Sequence, residues 1–302
     1  MMEPISPKQF NGWWAVALVG PILSTAGFNG WLSVLPVAVL CPVLCYAVCK
    51  CKVFPKWLCI AQLLWLTVFL SSMAKLSGAC WEGAGKSTAI PIILLALAAL
   101  ASQYGSVEAS RVGATLLWLV IPVLAVVLLS GVGEMRTDWV KAELQIPNGA
   151  LLSLLLLPSL TGIFFSTTGK QSAWISGTGG LLAVTASLLL EAAMGGTIAS
   201  HSENSFYEFS KGIDLFGVAE RFESLVACAL TLSWFVLLCV IFSAVYHFLD
   251  ELFKAAARWS VWIVFGMAAA LLYILPNGGL WLGVGSLIFW VILPLLTQGL
   301  VP

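Results

Sequence analysis

Apolar residues run through this chain in long stretches separated by short polar intervals. Stretches of roughly 20 apolar residues are what a helix needs to cross a bilayer's hydrocarbon core. They lie at about 11–28, 30–49, 57–74, 88–103, 113–132, 148–166, 173–197, 216–247, 259–275 and 278–298. The pattern predicts an all-α polytopic membrane protein of about ten transmembrane helices. The polar stretch from Glu134 to Gln145 divides the spans five and five. One membrane domain, 1–302, is therefore expected to hold two five-helix repeats, 1–133 and 148–302.

The first span of each half carries a cluster that disrupts helices. In the first it is Gly20-Pro21-Ile22-Leu23-Ser24-Thr25-Ala26-Gly27, in the other Pro158-Ser159-Leu160-Thr161-Gly162. Proline inside a helix removes one hydrogen bond and clashes with the preceding turn, and lipid satisfies none of the backbone groups set free. Matched interruptions in two halves are the sequence pointer to the midplane site of inverted-repeat transporters. Gly20, Pro21, Ser24, Thr25, Pro158, Ser159, Thr161 and Gly162 are accordingly the candidate substrate-binding residues, presenting backbone dipoles and hydroxyls. A plain proline kink is the competing account, since Gly and Pro are common in membrane helices. Pro36, Pro122 and Pro294 lack such neighbours and read as kinks. Ser233, with Thr231 and Ser243 in the eighth span, either lines the same cavity or bonds to a neighbouring helix.

Composition supports the membrane assignment. The chain is 60% hydrophobic and 9% charged, with a mean hydropathy of +1.00, far from the roughly 25% charged residues of soluble domains. No cleavable signal is expected in Met1–Asn11. Placing the N-terminus in the cytoplasm puts Lys8, Lys50, Lys52, Lys56, Arg111, Lys170, Lys254 and Arg258 inside, in keeping with the bias of basic residues toward cytoplasmic loops. Net charge is zero, and no basic stripe of the kind that tracks a nucleic-acid backbone is present. Trp13, Trp14, Trp57, Trp139, Trp174 and Trp259 fall near span ends, where indoles anchor at the interface.

Few residues offer other chemistry. Cys41, Cys45 and Cys49 share a helical face, but no histidine accompanies them, so packing is favoured over metal binding. Gly83 to Thr88 imitates a phosphate loop, yet Cys80 stands where glycine is required and a membrane helix precedes it. The two histidines, His201 and His247, fall on opposite predicted sides, and no catalytic constellation can be built around them. No enzyme activity, cofactor or metal is expected. Glu191 is the one acid lodged in an apolar run; it serves function or snorkels to the nearby interface. The polar segment from His201 to about Gly212 is expected to lie outside and is able to cover a vestibule.

Several strings resemble the spore-germination permease family, the B subunits of nutrient germinant receptors. Ile5-Ser6-Pro7-Lys8-Gln9 is similar to the family's I-S-x-x-Q, and Glu220-Arg221-Phe222-Glu223-Ser224-Leu225 to its E-R-x-acid-x-L segment. Gly105 and Arg111 resemble its G-x-E-x-x-x-R stretch, with Glu108 one position late. The resemblance implies the amino acid–polyamine–organocation superfamily and a LeuT-like 5+5 inverted repeat with broken first and sixth helices. It further implies a germinant-receptor subunit that senses a small nutrient, such as an amino acid, in the inner membrane of a spore, beside A-type and C-type subunits. The acid often found after the family's second break has no counterpart, since Thr161 and Gly162 stand there. An ion-coupled amino-acid or amine transporter is the alternative from the same fold, and a scaffold without ligand binding is a third.

Overall fold

The computed structural model describes residues 6–51, 55–78, 89–133, 135–140, 148–160, 168–195, 204–212, 222–254, 257–276 and 279–298. The helices are α1 (Pro7–Ala26), α2 (Trp31–Val48), α3 (Lys56–Ser77), α4 (Ala89–Ser102), α5 (Ser106–Val132) and α6 (Gly149–Leu156), the last continuing as a 3-10 turn at Leu157–Leu160. They are followed by α7 (Gly169–Met194), α8 (Ser205–Lys211), α9 (Phe222–Phe253), α10 (Ala257–Ile274) and α11 (Leu280–Leu287). A π-helical turn, Ile288–Ile292, joins α11 to α12 (Leu293–Gln298). Among the described residues there is no strand. Seven helices, α2, α3, α5, α7, α9, α10 and the α11–α12 unit, are long and apolar enough to cross a membrane. The chain is a multi-pass, all-α membrane protein.

Local sequence sets several of the helix ends. Ser6 caps α1 by accepting the Gln9 N–H while the Gln9 side chain accepts the Ser6 N–H, and Pro7 fills the first helical position. This reciprocal arrangement satisfies two donors that a helix start leaves bare. The Ile5-Ser6-Pro7-Lys8-Gln9 string thus contains a capping box. Thr168 and Gln171 build the same device at the start of α7.

Several of the helix contacts are preserved when the halves are exchanged, although the large α1–α9 contact has no counterpart of similar size between α6 and α3. With α1 matched to α6, α2 to α7, α3 to α9, α4 to α10 and α5 to α11, the contact α1–α5 corresponds to α6–α11 and α1–α7 to α6–α2. Likewise α3–α4 corresponds to α9–α10, α4–α9 to α10–α3, and α5–α9 to α11–α3. The pairs α2–α7, α3–α9 and α4–α10 join matched helices to each other.

Close approaches are made at small residues. A Cβ on Gly180 would lie 2.8 Å from the Ala38 backbone, and one on Gly149 2.0 Å from the Gly279 carbonyl oxygen. Without a strong hydrophobic drive in lipid, such contacts are where helix association gains van der Waals energy. Trp13 and Trp14, expected as interfacial anchors, are instead core residues, at 0% and 1% exposure. Trp13 fits because Gly113 faces it, where a Cβ would stand 2.4 Å from the indole. Trp174 and Trp259 are exposed, as anchors should be.

Candidate functional site

The first interruption differs from expectation. α1 runs without a break through Pro21 and ends only at Ala26. What marks this turn is a serine of another helix set against the hydrogen-bond ladder. Gly20 N–H donates to Ser233 Oγ at 2.8 Å, and Ser233 Oγ donates to the Val16 carbonyl. These two backbone groups stand four residues apart, the spacing of a helix's own hydrogen bond. Ser233 therefore links α9 to this turn of α1, just before a proline that has no N–H to offer. A Cβ on Gly20 would come within 2.5 Å of the Ser233 Cβ, so the link requires glycine.

Beyond Pro21 the end of α1 is closed by side chains. Thr25 Oγ1 donates to the Pro21 carbonyl at 2.8 Å. Asn29 Nδ2 donates to the Thr25 carbonyl at 3.0 Å, and Ser187 Oγ of α7 to the Ala26 carbonyl at 2.9 Å. Asn29 Oδ1 also accepts the Asn148 N–H, tying the end of α1 to the start of α6. Ser24 Oγ accepts from Trp234 Nε1 and from Asn204 Nδ2, each at 3.4 Å. Ser24 is 4% exposed and Asn204 and Trp234 0%, so this cluster is sealed. Among the described residues, Ser24, Asn204 and Trp234 bring neutral groups to it.

α8, in the described part of the segment from His201 to about Gly212, lies over the cluster as a lid. Asn204 caps α8 by accepting the Tyr207 N–H, and Phe206 and Phe209 of that short helix are buried. Phe209 fits against Gly131, where a Cβ would meet its ring at 2.7 Å. Nearby Glu191, three residues before the end of α7, is buried at 6% exposure rather than snorkelling.

At the second interruption α6 tightens into the 3-10 turn at Pro158, and the carbonyls so displaced are taken by two helices. From α7, Ser172 Oγ donates to the Pro158 carbonyl at 2.6 Å and Ser176 Oγ to the Leu155 carbonyl at 2.7 Å. From α2, the thiols of Cys45 and Cys49 approach the Leu155 and Ser159 carbonyls, each at 3.6 Å. Ser159 Oγ is buried and, among the described residues, has no partner. Thr161 and Gly162 lie outside the described residues, as do Glu220 and Arg221 and the phosphate-loop-like run 83–88.

The candidates fall into two groups. Gly20, Pro21, Ser24, Thr25 and Ser233 gather where α1 meets α9, whereas Pro158 and Ser159 sit against α2 and the start of α7. The separation is measured by α7, whose Ser172 holds the Pro158 carbonyl and whose Ser187 holds the Ala26 carbonyl. Fifteen residues at 1.5 Å each place the Ala26 and Pro158 carbonyls about 22 Å apart along the helix, and Gly20, six residues before Ala26, lies about 9 Å nearer to Pro158. Between them the wall is apolar: a Cβ on Gly179 would lie 3.2 Å from both Ile22 and Leu155 side chains.

Sequence reasoning missed Asn29, Asn148, Asn204, Ser172, Ser176 and Ser187, which make most of the polar closures. The usable signal was spacing, since Ser172 with Ser176 and Cys45 with Cys49 are each four apart and share a helical face. Among the described residues no group of three or more His, Cys, Asp or Glu is placed to hold a metal. No family model matches the chain, and no curated protein matches it.

Proposed function

We propose that the chain is a ligand-sensing membrane subunit of the germinant-receptor B type, built on ten spans as a LeuT-like inverted repeat with a cytoplasmic N-terminus. The packing preserved on exchanging halves supports this architecture, because repeats of five spans each must face opposite ways across the bilayer. The antiparallel course of matched helices agrees with it: Gly180 meets Ala38, whereas Gly169, earlier on α7, meets Tyr46, later on α2.

The observation that carries the functional reading is the neutral cluster at Ser24, closed by Asn204 from the lid and Trp234 from α9. A small zwitterion or amide reaches it by exchanging those bonds for its own, with the α1 carbonyl end facing an ammonium group. Exchange requires α8 to lift and α1 to move at the Gly20–Ser233 link. The ligand thereby shifts the protein between conformations by its differential affinity for them. In this reading the second interruption is the matching flexible point of the other half, and the A-type and C-type subunits in a spore inner membrane receive the change.

Titrating candidate amino acids onto purified protein tests the proposal, with Ser24→Ala and Asn204→Ala as variants. Saturable binding lost in both variants supports it; binding indifferent to both overturns the site. Ion-driven uptake into proteoliposomes would assign the same fold to transport instead.

A further inference from the structure

A second, quite different cavity lies on the side of the bundle where α1, α5 and α7 meet. Its volume is about 440 Å³, within the range of roughly 300–1,000 Å³ typical of small-ligand sites. Trp14, Leu18, Leu124 and Ile175 form its buried floor, and Asn11 and Trp174 stand at its mouth. α5 also carries apolar side chains that face outward, such as Leu129 at 72% exposure. In a multi-pass membrane protein that outward belt is covered by lipid tails.

We propose that this groove holds one acyl chain of an anionic phospholipid, with the headgroup phosphate beside Lys8 and Lys170. The wall of α1 from Asn11 to Val19 is about 12 Å long, close to the roughly 15 Å depth of one leaflet's hydrocarbon. A partner helix of that length would need roughly 900 Å³, twice the space present. The charge follows from geometry. α1 and α7 run parallel, since Gly179 faces Leu18 and Ile22 while Ser187 bonds Ala26 further along. Their first turns therefore lie at one level, where Lys8 and Lys170 are both exposed. Two ammonium groups above an apolar slot suit a phosphate above a chain.

The test uses the whole chain in nanodiscs of mixed phosphatidylglycerol and phosphatidylcholine, with a photoactivatable group in one acyl chain of the phosphatidylglycerol. Labelling concentrated on α1, α5 and α7 peptides is expected, together with retention of phosphatidylglycerol through detergent exchange. K8Q and K170Q, both surface changes, should each lower the preference for phosphatidylglycerol over phosphatidylcholine by roughly fivefold. Ala125→Phe, which narrows the groove, should abolish the focused labelling. Labels spread evenly over outward faces, including α2 and α10, or a lipid preference unchanged in K8Q/K170Q, would overturn the proposal.

Discussion

Ser233 Oγ accepts from Gly20 N–H and donates to the Val16 carbonyl, so that one hydroxyl of α9 bonds two backbone groups of α1 spaced one helical turn apart. The α1 helix keeps its geometry at this point and is tied to α9 just before Pro21.

Substitution at either partner should therefore reveal coupling rather than simple loss. Gly20→Ala drives a methyl group into Ser233 and is expected to cost about 1–3 kcal/mol through overpacking. Ser233→Ala removes both bonds without adding bulk, so a smaller cost near 1 kcal/mol is expected. Ser233→Gly should restore part of the stability lost in Gly20→Ala, because the clashing Cβ is removed. Thermal unfolding of the wild type, Gly20→Ala, Ser233→Gly and the double variant in one detergent measures the cycle; strict additivity would contradict the Gly20–Ser233 contact.

The second interruption allows a similar cycle with the opposite partner chemistry. The Leu155 carbonyl is approached by both the Ser176 hydroxyl and the Cys45 thiol. Ser176→Ala or Cys45→Ala alone leaves one donor in place, and each should cost well under 1 kcal/mol, the scale of interhelical bonds in membranes. The double variant leaves the carbonyl bare in an apolar setting, where an unmet acceptor costs about 1–3 kcal/mol. Its loss of stability should exceed the sum of the single losses.

These relationships also explain what the sequence made legible. Span positions were readable where burial in lipid demands long apolar runs: seven of the ten predicted runs hold helices long and apolar enough to cross a membrane, and α1, α4 and α6 overlie the other three. The interruptions were readable as residue types, yet their partners were not. A proline announces that backbone groups are freed, but not whether a ligand or a serine on another helix takes them. Ser233 was singled out and turned out to bond the backbone of α1; Asn204 went unnoticed because a polar loop gives no period to read. Trp13 and Trp14 misled for the same reason, since proximity to a span end does not reveal a glycine on the facing helix.

Cys51, between α2 and α3, offers a readout outside the spans. Burial, reinforced by neighbouring Cys49, raises its thiol above the ordinary cysteine range. The thiolate is the reactive form, so at pH 7–8 Cys51 should react with maleimide more slowly than free cysteine does. Raising the pH should go on accelerating it, by about tenfold per unit, after a free thiol near pKa 8.5 has levelled off. A single-cysteine protein keeping only Cys51 suits the measurement. A rate that levels off with the free thiol would show that burial does not govern this group.

The α6–α11 crossing sets the strictest requirement in the second half. A Cβ on Gly149 would sit 2.0 Å from the Gly279 carbonyl oxygen and 2.6 Å from Gly283 N, while one on Gly283 would sit 2.8 Å from Gly149 Cα. All of these contacts are with backbone, so no side-chain rotation relieves them. The crossing is also polar: Ser286 donates to Ser153 Oγ at 2.9 Å, and Ser153 donates to the Leu282 carbonyl at 3.0 Å. Gly149→Ala must separate the helices and lengthen these bonds together, at an expected cost above 3 kcal/mol, beyond the usual overpacking range. Ser153→Ala leaves the close approach intact and should cost about 1 kcal/mol, near the average for membrane interhelical bonds. Comparing the monodisperse fraction on size exclusion and the unfolding temperature of both variants separates the two effects. If Gly149→Ala were as stable as Ser153→Ala, close backbone contact would not be what holds α6 against α11.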